Sequence, residues 1–213
     1  MAKSVNFDYS KFHNYKMLDK IRPICSLLCK TKFKVEFRGQ ENLQRKGGFI
    51  IASNHVSALD PMFIGLSSDR LFHYIAKKEL FENPIMAKAI IHLNAFPVVR
   101  GIGDMDAVNY SIELVRRGEV LCIFPEGTRS PDGTPKQAKS GVGYIARATR
   151  ADVVPVAIYI EKQEKQGTKV VVNIGTVIPN SELGFTEGGK SKENKAAAKL
   201  IMDRITSLWE ECK

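Results

Sequence analysis

The sequence predicts an α/β fold: a single mixed, largely parallel sheet flanked by helices, preceded by an N-terminal two-helix element. Three observations carry this expectation. Short β-branched apolar runs, among them Phe49-Ile50-Ile51 and Val120 to Phe124, read as strands buried on both faces. Segments of helical spacing lie between them, such as Val108, Ile112 and Val115 closed by Gly118, and strands alternating with helices argue for one α/β unit. The 213 residues, 44% hydrophobic and 26% charged, suffice for one such domain with a full core.

Residues 1–32 form the arm and residues 33–213 the domain. Residues 8–32 read as two short helices broken at Pro23. If the proline only kinks the helix, Leu18, Ile21, Cys25 and Leu28 share a face, with Lys11, Lys16, Lys20, Arg22, Lys30 and Lys32 as its basic flank. Aromatic and aliphatic residues interleaved with Lys and Arg describe a helix lying on a membrane surface; a helical arm packed on the domain with a solvated basic face is the equal alternative.

Lys34 to Arg38 alternates as a strand, Gly47-Gly48 makes a turn, and the Phe49 strand follows. Asp60 is placed as the N-cap, and Pro61 in the first turn, of a helix reaching Leu66. A strand over about 71–76, helical structure from Lys77, a helix from Pro84 to about Leu93 and a short strand over 95–100 come next. After the 108–118 helix and the 120–124 strand, a basic loop containing Gly and Pro leads to a helix over about 141–150. Strands over 152–160 and 169–178 are joined by a charged link suited to a hairpin, and a helix from about Ser191 ends the chain.

Of the net charge of +9, residues 1–47 hold +7, with 11 Lys and Arg against 4 Asp and Glu. An anionic surface, membrane or nucleic acid, is the expected partner of such an arm. No apolar run approaches the ~20 residues of a spanning helix and no signal peptide is visible, so a protein that does not span a membrane is expected. Cys25, Cys29, Cys122 and Cys212 make neither a disulfide framework nor a zinc site, which fits a reducing, cytoplasmic setting.

Three strand ends carry unusual polar residues: Asn54, His55 and Asp60; Arg100; and Glu126, Gly127, Thr128 and Arg129. If the strands run parallel, all three emerge at one sheet edge, where ligands of open α/β sheets bind. A turn that folds Asp60 back onto His55 would make a general base of the imidazole. Clustered guanidinium groups suit a phosphate. Each residue also has a plain reading: a core histidine, a helix cap, a surface cation, a Pro-Gly turn. No Walker-type loop and no GxGxxG follows a strand, so no nucleotide cofactor is indicated, and no metal. The parts fit a phosphorylated small molecule whose hydroxyl His55 deprotonates.

The segments Asn54–Asp60 (NHVSALD), Phe96–Arg100 (FPVVR), Phe124–Ser130 (FPEGTRS) and Val154–Ile158 (VPVAI) also resemble the four ordered blocks of the glycerolipid acyltransferases. The third block most resembles the 1-acylglycerol-3-phosphate acyltransferases, monotopic membrane enzymes that turn lysophosphatidic acid into phosphatidic acid. The resemblance spans about residues 35–160. It implies His55 as general base and Asp60 as its partner. It implies that Arg129 and Lys77, with Arg100 in the same pocket, hold the acceptor phosphate; Lys77 is chosen over Lys78 on the wording AKKEL alone. It assigns Glu126, Gly127 and Thr128 to acceptor binding and the N-terminal helices to membrane docking at the cytoplasmic face. It requires no cofactor, only acyl-CoA or acyl-carrier protein as co-substrate. Backbone N–H groups near the His55 turn are candidates for oxyanion stabilisation.

The alternatives are acylation of glycerol 3-phosphate or another lysophospholipid, and hydrolysis through Ser57 or Ser130, for which no GxSxG elbow is present. A non-catalytic binder of anionic surfaces is more remote, because no nucleic-acid-binding motif accompanies the basic arm.

Overall fold

The structure, a computed structural model, describes residues 7–99, 103–130, 132–163, 167–189 and 191–213. Helix α1 (Met17–Lys32) leads into β1 (Phe33–Arg38) and β2 (Phe49–Ser53). Helix α2 (Asp60–Leu66), β3 (Phe72–Lys77), α3 (Pro84–His92), β4 (Ala95–Val98), α4 (Met105–Arg116) and β5 (Val120–Ile123) follow. The chain closes with α5 (Gly141–Thr149), β6 (Val153–Gln163), β7 (Gly167–Ile174) and α6 (Ser191–Glu210).

All seven strands form one sheet in the order β1-β7-β6-β2-β5-β3-β4. The pairs β6–β2, β2–β5, β5–β3 and β3–β4 are parallel, and only β6–β7 is antiparallel. The β6–β7 register, with Gln163 opposite Gly167, is the expected hairpin. β7 stops at Ile174; Gly175 donates instead to the Pro155 carbonyl, and Ile178 exchanges two backbone bonds with Val153.

β2 is buried on both faces, as its sequence predicts. Ile50 and Ala52 join a core with Leu114, Val115, Ile145 and Ile201 from α4, α5 and α6. Phe49 and Ile51 join a second core with Phe63 and Ile64 of α2 and Cys29 of α1. Alternate residues of one strand thus tie the two layers together.

The arm differs from expectation. Helix α1 is continuous through Pro23, and residues 7–16 are not helical. The missing proline N–H forfeits one helical bond, while the neighbouring Arg22 guanidinium donates to the carbonyls of Gly65 (3.1 Å) and Ser68 (2.7 Å) and holds α1 on α2. Ahead of α1, the groups a helix would use are engaged elsewhere. Asp8 Oδ1 accepts from the Ser10 backbone N–H, making a turn. Tyr15 N–H donates to Asn94 Oδ1 at 2.6 Å, and Asn94 Nδ2 returns a bond to the Tyr15 carbonyl. Among the described residues no helix is long and apolar enough to cross a membrane.

Candidate active site

The parallel strands β2, β3, β4 and β5 deliver their carboxyl ends to one edge, and a cavity of about 640 Å³ opens there between that edge, α4 and α5. His55 lies on its wall, two residues beyond β2. The turn after it returns Asp60 beneath the ring, where the carboxylate is fully buried. His55 Nδ1 donates to Asp60 Oδ2 at 2.7 Å, and the same oxygen accepts the N–H groups of Val56 (2.7 Å) and Ser57 (2.8 Å). With Nδ1 held as a donor, Nε2 is the basic nitrogen of a ring that faces the cavity. Phe124 stacks on a face of the imidazole, with ring centroids 4.2 Å apart.

Asp60 is not the N-cap of α2. That position falls to Leu59, whose carbonyl takes the first amides of the helix, while Pro61 stands in the first turn as expected. The carboxylate is committed to the N–H groups on its N-terminal side because the imidazole draws it there. Three N–H groups of the turn are thereby withdrawn from oxyanion stabilisation. The N–H groups of Val56 and Ser57 are bound to Asp60, and that of His55 donates to Glu126 Oε1 at 3.2 Å.

Glu126 sits behind this turn, nearly buried and outside the cavity wall. Burial raises its pKa, opposed by the His55 N–H it accepts. Gly127 does line the cavity, in the left-handed region at φ +72°, and a side chain there would meet Lys139 Nζ at 3.0 Å. Arg129 is exposed and lines the cavity, whereas Thr128 points to solvent away from it. Lys77 lines the cavity and Lys78 does not; the Lys77 ammonium lies 3.0 Å from Glu79 in a solvent-exposed pair. Arg100 falls outside the described residues.

Lys139 is a third cation on the cavity wall that sequence reasoning passed over. Its only signal was membership of the basic loop before α5. Asn54 proves architectural: its side chain donates to the carbonyl of Ile158 (2.9 Å) and accepts the N–H of Ile158 (2.8 Å), continuing the β2–β6 ladder. Ser130 N–H donates to the His55 carbonyl at 2.7 Å, so the first, third and fourth blocks are tied by hydrogen bonds. The Ser57 hydroxyl accepts from Leu59 N–H and the Ser130 hydroxyl donates to Asp132, so neither is aimed at His55.

A basic imidazole held by a buried carboxylate, facing a cavity lined by three cations and by apolar residues such as Ile75, Val108, Val142 and Ile145, suits group transfer to an amphiphile. A family model described as Acyltransferase matches residues 34–159, more than half of the sequence, and the chain belongs to that family. Within it, the chain is similar to 1-acyl-sn-glycerol-3-phosphate acyltransferases of two bacteria. It is 36% identical to that of Bacillus subtilis over 124 residues, 58% of this chain and 61% of the relative. It is 31% identical to that of Borreliella burgdorferi over 189 residues, 84% of this chain and 73% of the relative. The chain thus spans less than two thirds of the Bacillus relative's length. The crystal structure of the 1-acyl-sn-glycerophosphate (LPA) acyltransferase of Thermotoga maritima superposes with a TM-score of 0.71 at 27% identity, covering 92% of this chain and 79% of that one.

Proposed function

We propose that this chain transfers an acyl group from a thioester donor, acyl-CoA or acyl-carrier protein, to the sn-2 hydroxyl of 1-acyl-sn-glycerol 3-phosphate, forming phosphatidic acid at the cytoplasmic face of a membrane. The observation that carries this reading is the His55–Asp60 pair on a cavity whose remaining charges are Lys77, Arg129 and Lys139 beside the helix-capping Asp104. The similarity to 1-acyl-sn-glycerol-3-phosphate acyltransferases supports the same substrate class.

Arg129, Lys77 and Lys139 hold the acceptor phosphate, with Arg100 assigned to the same pocket by its motif. His55 Nε2 takes the proton of the acceptor hydroxyl as the oxygen attacks the thioester carbonyl. Asp60 stabilises the imidazolium without accepting its proton. The tetrahedral intermediate expels the thiolate, which takes the proton back from His55, so the base is regenerated and no acyl-enzyme forms. Glu126 fixes the backbone of His55, and Gly127 leaves room for Lys139.

Purified protein is offered 1-acyl-sn-glycerol 3-phosphate with each donor type, and phosphatidic acid is followed by mass spectrometry. Product from at least one donor is expected. Acylation of glycerol 3-phosphate or of a different lysophospholipid instead would replace the acceptor. His55→Ala should lower turnover by ~10²–10⁴-fold with an unchanged melting temperature; near-normal turnover would remove His55 from the mechanism.

A further inference from the structure

Acyl transfer passes through a tetrahedral centre whose oxygen carries a negative charge, and a donor on the cavity wall must meet that charge. The turn that holds His55 has already spent three N–H groups, those of His55, Val56 and Ser57, on Glu126 and Asp60. Side chains are the other source. The lining cations Lys77, Arg129 and Lys139 answer the acceptor phosphate. Apart from the imidazole, only Ser111 and Ser140 bring a neutral side-chain donor to the wall among the described residues. Ser111 is fully buried, and its hydroxyl donates to the Ala107 carbonyl at 2.7 Å. That leaves Ser140.

A serine at the head of a helix ordinarily folds its oxygen back onto the first amides. At the start of α5 it does not. Ser140 occupies the N-cap with φ −67° and ψ −8°, a helical rather than an extended backbone, and its side chain makes no capping bond. The residue instead lines the cavity between Lys139 and Gly141. A side chain at Gly141 would meet no atom within 4 Å, so the space beside Ser140 is open to a substrate. Two contacts tie this wall to the base. Lys139 N–H donates to the Pro125 carbonyl at 2.9 Å, and Phe124, one residue earlier, stacks on His55.

We infer that the Ser140 hydroxyl is a further catalytic group of this site, donating a hydrogen bond to the oxygen of the tetrahedral centre. The inference rests on the acyl-transfer reading of the cavity. As the acceptor oxygen bonds to the thioester carbon, the carbonyl π pair moves onto its oxygen, and Ser140 Oγ–H donates to that oxygen. When the pair returns, the C–S bond breaks and the thiolate takes its proton from His55. The hydroxyl keeps its own proton throughout. Its hydrogen bond strengthens as charge gathers on the oxygen, so it acts on the transition state more than on bound substrate. Removing it lowers kcat and spares KM.

Release of free thiol from acyl-CoA or acyl-carrier protein is followed with 1-acyl-sn-glycerol 3-phosphate as acceptor and, separately, with water alone. Ser140→Ala should lower kcat by about 10²-fold, with the acceptor KM within about twofold of the parent. Its melting temperature should match the parent's, since the hydroxyl has no partner in the fold. Ser140→Thr keeps a hydroxyl and should retain most of the rate. A kcat near the parent's in Ser140→Ala overturns the inference, and so does an equal loss in both variants. A raised acceptor KM at unchanged kcat would make Ser140 a phosphate ligand and overturn it too. A covalent acyl adduct on Ser140 in the mass spectrum would make the hydroxyl a nucleophile, with the same consequence. Water attacking the thioester raises the same oxyanion. A parent that hydrolyses the donor but leaves the lysophospholipid unacylated therefore refutes the proposed acceptor alone, and the hydrolysis rate of Ser140→Ala still decides the role of the hydroxyl.

Discussion

Asp60 concentrates three hydrogen bonds on one oxygen, and that decides what its replacement does. Asparagine can present its own oxygen to the N–H groups of Val56 and Ser57, so the turn survives, but the charge that stabilises the imidazolium in the proposed mechanism is gone. Asp60→Asn should therefore melt within a few degrees of the parent while turnover falls by about 10²-fold or more. A variant that unfolds but keeps its rate per folded molecule would make Asp60 a structural residue. Glu126 separates two roles by the same logic. Glu126→Gln keeps an acceptor for the His55 N–H and should leave the acceptor KM and most of kcat in place, whereas Glu126→Ala should lower kcat about tenfold or more by freeing the turn. A raised acceptor KM with unchanged kcat in Glu126→Gln would return Glu126 to the substrate, where its motif first placed it. The sequence displays a His and an Asp five apart because a single turn joins them. It cannot display Glu126 behind His55, because the partner is a backbone N–H 71 positions away and any residue supplies one.

Helices α5 and α6 pack so closely at Gly143 that a Cβ there would lie 2.1 Å from the Asn194 carbonyl oxygen. Backbone cannot yield as a side chain does, so Gly143→Ala should destabilise the fold by about 1–3 kcal/mol, read from the urea midpoint. A neutral result would mean that the two helices separate at little cost. No pattern around Gly143 announces this contact, since glycine leaves no apolar signature. The strands β2 and β5 were legible because burial on both faces demands an unbroken apolar run. The segment 8–16 departs from its expected helix for the opposite reason. Its aromatic and basic spacing is compatible with a helix, but Asn94 and Pro97 claim its polar groups, and those partners lie some eighty residues later.

His73 reports on the whole molecule. Its ring is buried under Phe12, its Nε2 lies 3.5 Å from Glu119 without a hydrogen bond, and burial pushes its pKa down to about 4. The unfolded chain binds a proton near pH 6.5 that the folded chain refuses until about pH 4. Stability from this group is thus complete above pH 6.5 and declines as the pH falls towards 4, by roughly 3 kcal/mol in all. Urea unfolding between pH 7 and pH 4.5 should show that decline, and His73→Leu should flatten it; an equal slope in the variant would place its origin elsewhere. The cross-links around His55 have a further bearing, on synthesis. β2 lies between β5 and β6, and Asn54 meets Ile158 across 104 positions of chain. A nascent chain that ends before Val120 holds His55 but neither of the strands that flank β2. The setting of His55 is therefore complete only once the chain through Ile158 has been made, about a hundred residues after His55 itself.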